Sequence, residues 1–240
     1  MPEALPDSAP PVVTRADSPP TDGSPSILLV DKPLGMSSFG VIRRLRRFLG
    51  IKKIGHAGTL DPAATGLLIC LVGRPATRLQ DHFMGLGKTY TGTLRLGQTT
   101  ESYDAESAVV EERDPSGVTD ADVEEARQRF LGEIEQRPPM YSAVKVGGER
   151  LYKKARRGET VERAPRPVAV YRFDVKRRGE AVDFIVECSK GTYIRTLAHD
   201  LGQALGVGAH LTALRRTAIG PYRVEEAWTL EALAEAVASP

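Results

Sequence analysis

The chain has 240 residues, 41% of them hydrophobic, which is enough apolar material for one large domain with appendages and argues against disorder throughout. Two cysteines and four histidines without metal-ligand spacing exclude an ordinary zinc site, and the sequence has neither a secretory start nor a window near the ~18 apolar residues of a membrane span, so a reduced, cytoplasmic protein is expected. The formal charge of +2 hides segregation, since residues 101–125 carry ten acids and one arginine while two basic clusters lie elsewhere.

Residues 1–25 hold seven prolines among Ser, Thr, Asp and Ala and read as a disordered leader to a domain over 26–240. Ser26 to Val30 reads as the first strand, left by a turn at Lys32-Pro33-Leu34-Gly35. From Ser37 or Ser38, either able to cap, Phe39, Ile42, Leu45, Phe48 and Leu49 recur at helical spacing, with four arginines on the other faces and Gly50 as the stop. Gly66 to Gly73 is a short apolar run between glycines and suits a buried strand. Tyr90 to Leu96 predicts a strand, and Thr119 to Leu131 a helix whose early acids and late arginines suit its dipole. Val168–Arg178 and Ala181–Ser189 predict a hairpin turning at Gly179, because Val182, Phe184, Val186 and Cys188 alternate with polar residues. Ile194, Leu197, Leu201 and Leu205 mark the last long helix, and a short helical run follows from Leu230 to Val237. Strands and helices mix without regular βαβ alternation, so the fold class is α+β.

Of all segments, Gly55-His56-Ala57-Gly58-Thr59-Leu60-Asp61-Pro62-Ala63-Ala64-Thr65-Gly66 says most about chemistry. It places one carboxylate in a glycine-bracketed loop behind a basic segment containing Arg43, Arg44, Arg46, Arg47, Lys52 and Lys53. An aspartate is ionised at neutral pH and needs no base to act as a nucleophile, so position matters more than activation. The glycines let a substrate approach the main chain, and Pro62 fixes the chain after the carboxylate. The alternative, Asp61 capping a helix that starts at Pro62, is weakened by the strand-like run that follows.

Residues 55–68 fit, without a gap, the signature Gly-His-x-Gly-Thr-Leu-Asp-Pro-x-Ala-x-Gly-x-Leu. In the same order come Lys32-Pro33-Leu34-Gly35-Met36-Ser37-Ser38, Lys88-Thr89-Tyr90, Leu96-Gly97, Arg137-Pro138-Pro139-Met140-Tyr141-Ser142-Ala143 and Gly191-Thr192-Tyr193-Ile194-Arg195-Thr196. Over about residues 26 to 230 the sequence thus resembles the bacterial tRNA pseudouridine-55 synthases of the TruB family. The resemblance implies the pseudouridine synthase fold, a central mixed and mostly antiparallel sheet flanked by helices and loops with an active cleft across it. It implies isomerisation of uridine 55 in the T loop (TΨC arm) of tRNA, after base flipping at a cost of a few kcal/mol. Asp61 would attack the ribose C1′ or the uracil C6, or remove a C2′ proton, and the sequence does not choose among these.

By the same resemblance, Tyr90 stacks on the target base and is a candidate acceptor of the C5 proton, a sensible task for a phenol. Tyr193 lines the pocket, Arg195 pairs with the catalytic carboxylate and holds it ionised, His56 lies against the RNA near the flipped nucleotide, and Leu214 contacts the base. Arg43, Arg44, Arg215 and Arg216 are candidate RNA contacts. So are Lys145, Arg150, Lys153, Lys154 and Arg156 of a basic arm at about 137–160, with Gly147-Gly148 as hinge candidates; a plain hairpin or loop is the alternative. No metal or other cofactor, no nucleotide, no membrane and no obligate protein partner is implied, and a monomer is expected. Many family members continue into a small C-terminal RNA-binding module, which the chain is expected to lack.

Two rivals remain. Gly85-Leu86-Gly87-Lys88-Thr89 suggests a phosphate-binding loop, but His82 stands where that pattern needs a glycine. A non-catalytic tRNA-binding or RNA-chaperone protein fits the basic clusters equally well, and the presence of Asp61, Tyr90 and Arg195 speaks against it.

Overall fold

The computed structural model describes residues 5–142 and 144–238, so Ala143, which ends the Arg137 motif, and the first residues of the leader lie outside the described residues. In chain order the elements are β1 (Val12–Val13), β2 (Ser26–Lys32), α1 (Ser38–Leu49), β3 (Ile54–Ala57), β4 (Ala64–Val72), α2 (Gly73–Thr77), α3 (Gln80–Gly85), β5 (Lys88–Leu96), β6 (Gln98–Thr100) and β7 (Val109–Glu112). There follow α4 (Asp120–Gln128), β8 (Gly132–Gln136), β9 (Lys145–Val146), β10 (Glu149–Arg150), α5 (Leu151–Ala155), β11 (Arg166–Arg178), β12 (Ala181–Cys188), α6 (Ile194–Ala204), β13 (Ala209–Ile219), β14 (Tyr222–Arg223) and α7 (Leu230–Ala238). Ten of the strands form one mixed sheet, which with the flanking helices gives the α+β class expected. None of the described helices is long and apolar enough to cross a membrane. The chain divides into two compact units, Met1–Tyr90 with Arg215–Pro240, and Thr91–Leu214.

In the first unit β2 pairs antiparallel with β4, and β3 pairs antiparallel with β4. Both faces of the β2–β4 pair are covered, which is why residues 67–72 read as an unbroken apolar run. Leu28, Val30, Leu68, Cys70 and Val72 pack on one side with Val41, Ile42 and Leu45 of α1 and Leu230 and Leu233 of α7. Ile27, Leu29, Leu67, Ile69 and Leu71 pack on the other with Ala76 and Phe83. Helix α1 begins as the sequence suggests: Ser37 caps it by accepting from the Gly40 amide at 3.0 Å, and Gly50 ends it in the left-handed region at φ 66°. Phe39 departs from expectation. It is 56% exposed, because Ser38, Val41, Ile42, Leu45 and Leu49 occupy the buried side of the helix.

The proline-rich leader is not uniformly without structure. Its two adjacent valines form β1, which pairs in parallel with Ile27 and Leu28, and Val13 is 7% exposed. Burial of that β-branched pair against β2 offsets the ordering of a segment otherwise poor in large apolar groups.

In the second unit β12, β11 and β8 form consecutive antiparallel pairs, with Gly179 turning the long hairpin at φ 63°. The register shifts between Val170 and Arg172, which leaves Tyr171 63% exposed and changes the inward phase of β11 from Val168 and Val170 to Phe173. Thr119 caps α4 in a reciprocal box with Asp122, and Arg127 of that helix donates to the Phe173 carbonyl at 2.8 Å.

Candidate active site

Asp61 lies between β3 and β4 in the first unit, and its helix-cap reading falls away because Pro62 and Ala63 form a turn that leads directly into the strand. Both neighbours of Asp61 are tied to the segment after β2. The Ser38 hydroxyl accepts from the Leu60 amide at 2.8 Å and donates to the Leu60 carbonyl at 2.9 Å, while the Gly35 amide donates to the Pro62 carbonyl at 2.9 Å. Leu60 itself is buried, so the carboxylate is carried on a backbone fixed on either side and anchored by an apolar side chain.

Two buried cations support this loop from within the same unit. Arg216, 1% exposed, donates from Nε to the Leu67 carbonyl at 2.8 Å and from Nη2 to the Gly58 carbonyl at 2.9 Å. Lys32, fully buried, donates from Nζ to the carbonyls of Pro33 at 2.9 Å and Met36 at 2.7 Å, closing the turn that carries Gly35. Gly66 completes the fit: its φ is 103°, and a Cβ there would lie 2.2 Å from the Arg216 carbonyl oxygen, so only glycine lets β4 approach the Arg216 backbone so closely. His56, on β3, is held below the usual imidazole range first by burial and then by the Arg216 charge, and its Nδ1 is buried without a hydrogen-bond partner among the described residues.

Arg216 is therefore corrected from RNA contact to internal brace. Strand β13 buries its side chain, and two main-chain carbonyls take the hydrogen bonds that a phosphate would have taken. Arg215, on the opposite face of the same strand, grips Asp31 with both guanidinium nitrogens at 3.0 and 2.7 Å and remains 40% exposed. Arg43 and Arg44 are exposed on α1.

Tyr90 is 8% exposed on β5, two residues after Lys88, whose Nζ donates to the carbonyls of Met84 at 2.8 Å and Leu86 at 2.5 Å. A lysine buried against the end of α3, followed by a strand, is no phosphate cradle, and the nucleotide-binding rival fails on geometry as well as spacing.

The second unit carries Tyr193, Arg195 and Leu214. Gln136, 2% exposed at the end of β8, accepts from the Tyr193 amide at 2.7 Å and donates to the Tyr193 carbonyl at 3.0 Å, fixing the entry to α6. Arg195, 7% exposed on the first turn of that helix, donates to the carbonyls of Ser102 at 2.9 Å and Tyr141 at 2.8 Å, and its Nε lies 3.5 Å from Asp104 Oδ2. Between Ser102 and Asp104, Tyr103 adopts φ 64° and stacks on His199, one turn along α6 from Arg195, with ring centroids 3.9 Å apart. Leu214 is half-buried on β13.

The arm residues Lys145 and Arg150 sit on a β9–β10 hairpin whose turn residues Gly147 and Gly148 both have positive φ, and Lys153, Lys154 and Arg156 lie on or beside α5. Arg156 lies over the Tyr152 ring at 5.8 Å, whereas Arg157 is committed to Glu149 and Glu159 at 2.7–2.8 Å.

Sequence reasoning missed Ser38 as the brace of Leu60, Gln136 as the clamp on Tyr193, and Asp104. The last sits in the acidic stretch of residues 101–125, yet it is 4% exposed and pairs with Arg195. No local signal marks it, since in the sequence Asp104 is one of ten acids in that stretch. Among the described residues no group of three or more His, Cys, Asp or Glu is placed to hold a metal ion.

Residues 46–194 match the family model described as TruB family pseudouridylate synthase (N terminal domain), and residues 195–239 match that described as tRNA pseudouridylate synthase B C-terminal domain. The chain is 51% identical over 216 residues to the tRNA pseudouridine synthase B of Arthrobacter sp. (strain FB24), covering 87% of this chain and 70% of that protein. It is 50% identical over 208 residues to the tRNA pseudouridine synthase B of Opitutus terrae, covering 86% of each. Among solved structures it is similar to a chain of a Cbf5-Nop10-Gar1 complex, with a TM-score of 0.70 and 32% identity over 97% of this chain and 60% of that one. It is likewise similar to a chain of an H/ACA RNP bound to a substrate RNA containing 2′-deoxyuridine, with a TM-score of 0.67 and 29% identity over 97% of this chain and 59% of that one, so it spans about three-fifths of either. With the family model covering most of its length around the Asp61 loop, the chain belongs to the TruB family of pseudouridylate synthases.

Proposed function

We propose that the chain isomerises uridine 55 in the T loop of tRNA to pseudouridine, with Asp61 acting on a nucleotide extruded from the loop. The observation that carries this reading is the single carboxylate of the signature loop, tied down through both of its neighbours by Ser38 and Gly35. Such preorganisation suits a group that must meet one carbon of a large, flexible substrate. The relatives named tRNA pseudouridine synthase B, about half identical over most of the chain, support the choice of RNA.

The reaction breaks the N1–C1′ bond and forms C5–C1′, while a proton leaves C5 and one is gained at N1, so no oxidant or reductant is consumed. Asp61 supplies the reacting carboxylate, Arg195 the cation that serves it, and Tyr90 the phenol that stacks on the base and takes the C5 proton. Tyr193 and Leu214 line the base site and His56 meets the RNA beside it. Phosphate contacts come from Arg43, Arg44 and the arm residues Lys145, Arg150, Lys153, Lys154 and Arg156. The enzyme works on tRNA in the cytoplasm as a monomer without an obligate protein partner, and light scattering after size-exclusion chromatography checks the monomer.

Incubating the protein with an unmodified tRNA transcript and mapping pseudouridine by mass spectrometry tests the reading. Pseudouridine at position 55 is expected, lost in Asp61→Asn with RNA binding largely retained. Binding without turnover by the wild type would instead establish the RNA-chaperone alternative, and turnover by Asp61→Asn would remove Asp61 from its role.

A further inference from the structure

Phe39 is an apolar ring left in solvent at the edge of the Asp61 loop. It is 56% exposed and follows Ser38, whose hydroxyl holds Leu60. Leu34, the most exposed of the large apolar residues described at 69%, precedes Gly35, whose amide holds Pro62. The two residues that pin the loop on either side of the carboxylate thus each have an exposed apolar neighbour. Two arginines lie over the ring: the guanidinium carbons of Arg43 and Arg46 are 5.9 and 5.7 Å from its centroid, and Arg46 is held there by donating to the Ile54 carbonyl at 3.0 Å. Both distances fall within cation–π range.

We infer that Phe39 is a stacking platform for an unpaired nucleobase of the bound tRNA, with Arg43 and its neighbours on α1 holding the adjoining phosphates. This rests on the proposed function, which brings a flipped nucleotide and an opened loop to Asp61. The charge pattern selects the occupant. A protein surface or a lipid tail would call for a wider apolar patch, whereas one exposed ring with the guanidinium groups of Arg43 and Arg46 over it, and with Arg43 itself exposed, offers a base-sized aromatic surface with cations beside it. Opening a folded loop leaves bases unstacked, and a ring that receives one of them recovers part of that loss without reading sequence.

The test compares Phe39→Ala, Phe39→Leu and Phe39→Trp with the wild type on a T-arm stem–loop transcript, reading Kd at several salt concentrations together with kcat and KM. Phe39→Ala and Phe39→Leu are expected to raise Kd and KM by about tenfold with kcat retained, and Phe39→Trp to bind as the wild type does. The salt dependence stays unchanged in all three, because stacking releases no counterions, whereas Arg43→Gln lowers its slope by about 0.7–0.9. Wild-type binding by Phe39→Ala or Phe39→Leu would overturn the inference, since apolar bulk or nothing would then suffice. A benzoylphenylalanine at position 39 is expected to crosslink to a loop nucleotide, and its failure to crosslink during turnover would also overturn it. A wild type that neither binds nor modifies the transcript would be a failure of the proposed function itself, seen before any variant is compared.

Discussion

One hydroxyl, that of Ser38, serves both the amide and the carbonyl of Leu60, a residue 22 positions away and adjacent to Asp61. All three groups are buried, so removing the hydroxyl leaves two main-chain groups unmade, each costing about 1–3 kcal/mol. Ser38→Ala is therefore expected to lower stability to urea by about 2–6 kcal/mol. In the folded variant a single-turnover assay should show a fall in rate larger than the loss of RNA affinity, because the loop carrying the carboxylate is loosened while α1 keeps its Ser37 cap. Wild-type stability and rate would mean that Leu60 is held by its buried side chain alone.

The brace from Arg216 makes a different prediction, because its planar fork reaches two carbonyls at once. Arg216→Lys keeps the charge but not the fork, and a buried cation left short of acceptors is expected to cost about 2–4 kcal/mol. Arg216→Met removes the charge instead. Nuclear magnetic resonance titration should then show the His56 pKa moving part of the way back towards its ordinary value, since burial, the larger cause, remains. An unmoved His56 in the folded Met variant would separate the two residues electrostatically.

These examples show what a linear sequence discloses. Helix α1 is legible because its signals are local, a serine cap and a glycine stop around a period of 3.6, and the β11–β12 hairpin because alternation and Gly179 announce it. The loop of Asp61 is legible as a motif. What holds it is not, since Ser38, Gly35 and Arg216 reach it from 22 to 158 residues away. Strand β13 stayed hidden for the same reason. Its inward residue Arg216 looks like a surface cation until the Leu67 and Gly58 carbonyls are in place, and Asp104 looks like one more acid until Arg195 is beside it. Buried polar groups satisfied at long range leave no periodic trace.

The arm separates charge from structure. Lys153, Lys154 and Arg156 are available to phosphates, whereas Arg157 holds Glu149 and Glu159 and draws both carboxyls below their usual range, chiefly through the hydrogen bonds it donates to them. Changing Lys153, Lys154 and Arg156 together to Ala should weaken tRNA binding and reduce the slope of log K against log salt by about 2–3, with the rate on bound RNA retained. Arg157→Ala should leave the slope closer to the wild-type value, because its charge is already matched within the arm. An unchanged slope in the triple variant would remove the arm from RNA binding.

Acid stability should carry opposing contributions from neighbouring residues on α6. Burial holds His199 below its ordinary 6.5, so as the pH falls past that value the unfolded chain gains a proton that the folded chain resists, and stability is lost towards the depressed pKa. His56 acts in the same direction. Asp200 acts against them: burial raises its carboxyl from 3.8 to about 6, so the folded chain keeps a proton that the unfolded chain releases, and stability is lost as the pH rises through that window. Asp200→Asn removes this second effect. Relative to the wild type it should be more stable at pH 7 and little changed near pH 4, and its stability should climb more steeply between them, as urea midpoints at closely spaced pH would show. Parallel wild-type and Asp200→Asn profiles would mean that Asp200 titrates alike in the folded and unfolded chain, leaving the histidines to set the acid limb.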